Sequence, residues 1–317
     1  MKILLAAEEG AGVQALRAVR RSGHELVAVL TSEAGPQGAA SPVQAAAAEL
    51  GYPWWPAESV KDPALADRIH REGVDVLVNV HSLYVIHPAV LAALRHGAYN
   101  MHPGPLPEYA GLNAVSWALY RGESRHAVTI HRIVPKIDAG SIAYSAWFSI
   151  GDGDTALTLG VKCVTLGLTL LDRLLAALTA DPPVVPEISQ DLTRRRYYGR
   201  AVPNGGRLDW CRPALEIVNF VRACDYVPFA SPWGHPTARL GGRELSIVKA
   251  GRTGQLCREA PGTVGRLADR AAHVAAADEW VRVHRVMSAG RMMDARDALV
   301  PGDQFGEAAS VATAEER

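Results

Sequence analysis

Apolar and polar positions fall along this chain in blocks whose period changes repeatedly. Residues 2–7 form a nearly continuous apolar run, and residues 24–31 form a second one. Between them, Gly10-Ala-Gly12 opens a stretch to Ser22 with apolar side chains at helical spacing. This pattern predicts strand, helix, strand, the opening of a parallel sheet. Residues 31–41 are Gly-rich and polar and read as a loop. Residues 42–51 and 63–72 read as helices, and 74–80 as a buried strand. A short strand-like run from Ala98 ends on Asn100 and His102, which alternate with Met101 and therefore share a face. Pro103, Pro105 and Pro107 stiffen the loop that follows. A helix is expected over residues 113–120, a β-rich run over 128–134, and another strand from after Asp138 to about Ile150. Asp154 and Thr155 stand where they can cap a long helix to Thr179, with Leu157, Val161, Val164, Leu168 and Leu171 on its apolar side.

The remainder has a different texture. Residues 182–206, which include Arg194-Arg195-Arg196 and Tyr197-Tyr198, read as a linker whose Arg triplet is solvated. A helix is expected over 214–224 and a Pro-rich loop over 228–236. A hairpin is expected over 239–250, turning at Gly241-Gly242. Short strand-like runs follow at 262–264, 273–277 and 281–286, the spacing of a small barrel. From Glu307 the tail is rich in Ala and Glu and reads as frayed.

Composition narrows the function classes. The chain has 317 residues, enough for two domains, and 48% of them are hydrophobic. Its 33 basic and 33 acidic side chains balance, so net charge gives no argument for nucleic acid or a membrane surface. Cys163, Cys211, Cys224 and Cys257 lie far apart without metal-ligand or redox spacing. The opening apolar run is too short for a signal peptide, and no stretch approaches the length of a membrane span. A cytoplasmic protein is expected.

The chemistry concentrates between Ala98 and Tyr144. Asn100, His102 and Asp138 bring an amide, an imidazole and a carboxylate to what should be the carboxyl end of a sheet. This stretch resembles the formyltransferases that use 10-formyltetrahydrofolate. Those carry Asn-x-His-x-x-x-Leu-Pro, a Gly soon after, and a distal Asp-x-Gly turn, here Asn100, His102, Leu106, Pro107, Gly111, Asp138 and Gly140. One departure is Gly104, where the family usually has Ser, so the hydroxyl is absent. The late runs Pro261-Gly-Thr-Val264 and Pro301-Gly-Asp303 are similar to the second domain of the same family.

The resemblance implies an α/β, Rossmann-like catalytic domain with a parallel-rich sheet (1–184), a linker (185–206), a smaller OB-like β-barrel domain (207–306) and a tail (307–317). It implies 10-formyltetrahydrofolate as co-substrate and no metal. Asn100 would donate to the formyl oxygen, His102 would move the proton or donate to the oxyanion, and Asp138 would orient the imidazole, stabilise its charged form or hold a water that relays the proton. The folate would contact the loop of His81, Leu83, Tyr84, Val85 and Ile86 and the turn of Ile137, Ala139 and Gly140. The structural alternative for Leu83, Val85 and Ile86 is core packing. His81 reads as a strand-end residue beside that loop, and His126 and His131 as facing solvent or core. Gly10, Gly12, Gly104, Asn113 and Ser116 are the expected acceptor contacts. For Gly10 and Gly12 the competing reading is a tight turn into a helix, since the dinucleotide fingerprint is incomplete. For Asn113 it is a helix cap. The expected partner is a small-molecule amine, with no membrane and no nucleic acid, and a homodimer is among the expected states. Methionyl-tRNA as acceptor, hydrolysis of the folate, and a non-catalytic folate sensor are the alternatives.

Overall fold

The computed structural model describes residues 1–33 and 40–306. Most of the Gly-rich loop expected at 31–41, and the whole tail from Glu307, lie outside the described residues. The chain forms two compact units. The first comprises Met1–Ala114, Arg125–Ser149 and Gly160–Tyr198; the second comprises Val115–Ser124, Ile150–Leu159 and the chain from Gly199 onward. This differs from a single cut after residue 184. Residues 185–198 pack with the first unit, and two short excursions of the earlier chain pack with the second.

The chain order begins β1 (Lys2–Ala7), α1 (Glu9–Arg21), β2 (Glu25–Thr31), α2 (Pro42–Glu49) and β3 (Trp54–Pro56). It continues through α3 (Leu65–Glu72), β4 (Val76–Val80), α4 (Pro88–Ala93), β5 (Ala98–His102), β6 (Ala110–Gly111) and α5 (Ala114–Tyr120). Then come β7 (Arg125–Arg132), β8 (Ile142–Ser149), α6 (Ala156–Ala177) and β9 (Tyr197–Tyr198). The first unit holds a seven-stranded sheet in the order β3-β2-β1-β4-β5-β7-β8. Its first five strands are parallel, β7 pairs antiparallel with β5, and β8 pairs antiparallel with β7. The parallel strands are covered on both faces, which is why they read as unbroken apolar runs. All five residues of β4 are buried, and Asn79 is the polar exception among four valines and leucines. Leu4, Leu30, Ile69 and Leu77 are fully buried in one cluster, each contributing on the order of 2 kcal/mol. Gly12 belongs to this packing. A Cβ there would sit 2.8 Å from Val43 Cγ2 and 3.0 Å from Ala7 Cβ, so the glycine lets α1 close on β1 and α2.

The second unit adds α7 (Ala214–Ala223), β10 (Thr237–Leu240), β11 (Arg243–Leu256), β12 (Val264–Ala268) and β13 (Ala271–Ala275). It ends with β14 (Glu279–Ser288), β15 (Arg291–Asp294) and α8 (Ala295–Ala298). These strands form an antiparallel sheet in the order β10-β11-β14-β13-β12, with β15 also on β14. The hairpin expected at Gly241-Gly242 joins β10 to β11, with both glycines at positive φ (52° and 81°). Along β14, Val281 and Val283 are buried and alternate with partly exposed Trp280, Arg282 and His284, the period of a one-sided sheet. Trp117, Tyr120, Phe220 and Trp233 pack edge-to-face in the same unit. No helix among the described residues is long and apolar enough to cross a membrane.

Candidate active site

The register of three adjacent strands builds the site. Asn79 of β4 pairs with Asn100 of β5, and Asn100 pairs with His131 of β7. Paired residues point to one face, so three polar side chains stand in a row across the sheet. Asn79 Nδ2 donates to the Ser82 carbonyl (3.1 Å) and to Asn100 Oδ1 (2.9 Å). Both acceptors fix the Asn79 amide, and that in turn points Asn100 Nδ2 at His131 Nε2 (3.1 Å). His131 Nδ1 faces the Arg132 carbonyl at 2.9 Å, which can only accept, so Nδ1 carries a proton. The Asn100 amide nitrogen can only donate, so Nε2 of His131 is the acceptor of that bond.

His102 lies two residues beyond Asn100 on the same face, buried, at the end of β5. Its Nε2 donates to the Tyr109 carbonyl (2.6 Å), and its Nδ1 faces Asp138 Oδ2 (3.6 Å). Asp138 sits between two imidazoles, with Oδ1 3.3 Å from His131 Nε2. The Gly111 backbone N–H donates to Oδ2 at 2.8 Å. Gly111 must be glycine. Its φ is 95°, and a Cβ would lie 2.2 Å from the Tyr198 carbonyl. Asp138 itself adopts a left-handed φ of 52° in the turn after β7.

These contacts set the charges. Burial pushes the Asp138 carboxyl up, but His102, His131 and the Gly111 N–H together outweigh it, so the carboxyl titrates well below its usual range. Burial pulls His102 below its ordinary value, against the opposing field of Asp138. The ionised carboxylate thus faces a largely neutral imidazole that can take up a proton.

Two neighbours brace the Pro loop. His126 Nε2 donates to the Pro103 carbonyl (2.9 Å), and Thr129 Oγ1 donates to the Gly104 carbonyl (2.8 Å). At Gly104 a Cβ would stand 2.9 Å from Ala114 Cβ and 3.0 Å from His102 Nε2. A side chain at this position would crowd the His102 imidazole. Burial drives His126 down to about 4. Unfolded, this imidazole protonates near 6.5, so between these values the unfolded chain binds the extra proton. Stability falls as pH drops through that window, by about 3 kcal/mol from this group once pH is below 4. His126→Phe should therefore show a smaller drop in denaturation free energy from about pH 7 to about pH 4.5 than the wild type. Equal drops in urea titrations would refute it.

The structure brings Asn100, His102 and Asp138 together, as the spacing led us to expect. Leu83 and Val85 are exposed (81% and 60%) on the loop after β4, with Tyr84 partly exposed under the Lys61 ammonium. Ile86 instead packs in the core with Val90 and Leu94. Ile137 is exposed, Ala139 N–H bonds the Lys136 carbonyl, and Gly140 is buried against Arg132. His81 has φ 63° and its Nδ1 lies 3.2 Å from Glu9 Oε2. Gly10 is exposed at the first turn of α1, Gly12 is packed, and Asn113 has φ 57°. Ser116 belongs to the second unit, where its buried hydroxyl bonds the Tyr226 hydroxyl (2.9 Å). Sequence reasoning missed Asn79, His131 and Gln190. His131 does not face solvent or generic core; it faces the Asp138 carboxylate because register places it opposite Asn100. The Arg triplet is not merely solvated either: Arg194 pairs with Glu108, and Arg195 donates to the Ile137 carbonyl (2.9 Å). A lone polar residue inside the apolar run Val76-Leu-Val-Asn79-Val was the available signal for Asn79.

An α/β sheet carrying this row of polar side chains is followed along the chain by an antiparallel β unit. The chain belongs to the formyl transferase family: the family's sequence model matches residues 1–174, and that of its C-terminal domain matches residues 201–300. It is a formyl-transfer enzyme by that membership. Among solved structures, the chain is similar to an N-formyltransferase from Helicobacter canadensis in complex with folinic acid and dTDP-3-aminofucose. That match has 16% identity, a TM-score of 0.68, and covers 89% of this chain and 98% of that one. A second is HypX from Aquifex aeolicus in complex with tetrahydrofolic acid (18% identity, TM-score 0.60, 94% of this chain and 46% of that one). A third is a 4-N formyltransferase from Francisella tularensis (16% identity, TM-score 0.60, 73% of this chain and 90% of that one). At these identities the likeness is one of fold.

Proposed function

We propose that the enzyme moves a formyl group from 10-formyltetrahydrofolate to the amine of a small metabolite, with an amino-sugar nucleotide as the leading acceptor class. The observation that carries this is the buried Asp138 carboxylate held between His102, His131 and the Gly111 N–H, with the Asn100 amide beside it. The exposed apolar loop Leu83-Tyr84-Val85 and the turn at exposed Ile137 present apolar surface beside backbone polar groups. Such a surface fits the flat, polar-edged ring of a folate. The neighbours solved with folinic acid and tetrahydrofolic acid support the same co-substrate.

Each residue then has a role. Asn100 has a second amide N–H for the oxygen that gains charge as the amine adds to the formyl carbon. His102 takes the proton of the attacking amine and passes it toward the departing folate nitrogen. Asp138 stabilises the imidazolium that forms in between, and its low proton affinity keeps it ionised for that task. His131 holds the Asn100 amide in the donating orientation.

The acceptor class draws support from the amino-sugar nucleotide in the Helicobacter neighbour and from the balance of charge. A tRNA acceptor would require many phosphate contacts and a basic face. An ornithine-like amine is the second small-molecule candidate. Incubating the enzyme with 10-formyltetrahydrofolate and a panel of dTDP- and UDP-amino sugars, ornithine derivatives and charged initiator tRNA separates these. We expect a mass gain of one formyl group on an amino-sugar nucleotide. Transfer to the tRNA with no small amine accepted would overturn the acceptor reading.

A further inference from the structure

We propose that Gln190 is a positioning residue for formyl transfer, fastening the turn that aims Asp138. The inference rests on the reading of Asp138 as part of the catalytic set. It starts from the strain in that turn. Asp138 occupies left-handed backbone space (φ 52°), a conformation unfavourable for a non-glycine residue that persists only when neighbours hold it. Gly140, two residues on, is pressed so closely on β7 that a Cβ would fall 1.9 Å from the Arg132 carbonyl. The turn's carbonyls face away from the sheet and find their partners in one segment of the later chain. Gln190 Nε2 donates to the Asp138 carbonyl (2.9 Å) and to the Gly140 carbonyl (2.6 Å). Both hydrogens of one planar amide are thus spent on the two sides of the catalytic turn. Arg195 of the same segment takes the Ile137 carbonyl (2.9 Å).

The other end of this segment holds the opposite side of the carboxylate. Arg196 N–H bonds the Pro107 carbonyl (3.3 Å), Ala110 N–H bonds the Arg196 carbonyl (3.0 Å), and Leu112 N–H bonds the Tyr198 carbonyl (2.8 Å). Those bonds are the β6–β9 pair, and they fix Gly111, whose own N–H is the donor to Asp138 Oδ2. Residues 190–198 therefore tie the turn that carries the carboxylate to the loop that supplies its backbone donor. Within this strap Gln190 alone supplies two donors to the turn. Glutamate would set an oxygen against two carbonyls, and methionine would fill the space with no donor.

The test uses full-length Gln190→Met and Gln190→Glu, each assayed well below its melting midpoint. The assay follows 10-formyltetrahydrofolate consumption with the amino-sugar nucleotide that the wild type uses fastest. Gln190→Met should lower kcat about tenfold or more, with KM for the folate changed less than about threefold, since a displaced group loses rate before binding. Gln190→Glu should be poor near pH 8 and recover relative to Gln190→Met toward about pH 5.5, where a protonated carboxyl regains one donor. A purely structural role would leave that ratio flat. The 15N shifts of the His102 and His131 ring nitrogens should move in Gln190→Met, because both rings face Asp138. Unmoved nitrogen signals would overturn the fastening itself. Moved signals with kcat within about twofold of wild type would overturn the catalytic reading of Asp138 on which it stands. If Gln190→Met fails to fold, Gln190→Glu carries the test alone, and a pH-independent ratio of its kcat to that of the wild type refutes the proposal.

Discussion

Asp138→Asn lowers kcat by about 100- to 10,000-fold while the chain stays folded, the range expected when a proton-transfer group loses its partner. The substitution keeps the size of the side chain and removes only the charge and one acceptor. In the wild type one carboxylate oxygen accepts from the Gly111 N–H and faces His102 Nδ1 at 3.6 Å, and the other lies 3.3 Å from His131 Nε2. An amide has a single acceptor. If that oxygen stays with Gly111, the amide nitrogen turns to His131 Nε2, where the Asn100 nitrogen already stands at 3.1 Å. Two donors then compete for one lone pair, and the Asn100 amide loses its fixed orientation. The imidazolium formed on His102 during the reaction also loses its counter-ion. The pH profile gives a second readout. Asp138 raises the proton affinity of His102 against the burial that lowers it. Without the carboxylate the acid limb of the residual activity moves to lower pH. Turnover within about threefold of wild type on a folded variant would remove Asp138 from the mechanism.

The strands of the first unit were legible because burial on both faces leaves a one-letter signature, the apolar run. So were Asn100, His102 and Asp138, since alternation on β5 puts the first two on one face. What the sequence could not give is register. Nothing in the residues 125–132 says that His131 rather than Thr129 stands opposite Asn100, because the antiparallel pairing of β7 with β5 is set by contacts far apart in the chain. A slip of one residue would have turned His131 to the other face. Gln190 escaped for a related reason. It lies in a Pro-flanked polar stretch with no periodicity, and its value comes from carbonyls some fifty residues earlier. The division into units was partly hidden as well. The stretches 115–124 and 150–159 look like continuations of the first unit, yet Trp117 and Tyr120 pack edge-to-face with Trp233 and Phe220 of the second. Aromatic side chains declare burial in a sequence, but not against which partner.

The second large effect is that of His102→Ala, for which we expect a loss of at least about 100-fold in kcat. The imidazole lies between the Tyr109 carbonyl and the Asp138 carboxylate. Its Nε2 proton is fixed by the Tyr109 carbonyl at 2.6 Å, which can only accept. The unshared pair therefore resides on Nδ1, which faces Asp138. Because burial lowers its proton affinity, the ring is neutral near pH 7 and able to act as a base there. The sign for activity follows. Falling pH protonates His102 before the amine attacks the formyl carbon, so wild-type turnover declines on an acid limb placed below the ordinary histidine value of about 6.5. His102→Ala should lose that limb along with its rate. His102→Gln, which keeps a donor toward Tyr109 but cannot carry charge, should be nearly as slow and equally flat. Folded state is checked by near-ultraviolet circular dichroism, and rate by formyl-amine production over about pH 5 to pH 9. A variant that keeps near-normal turnover, or one that is slow but retains the wild-type acid limb, would assign the proton transfer to another group. His131 would then be the next residue to change, since its Nε2 lies 3.3 Å from the same carboxylate.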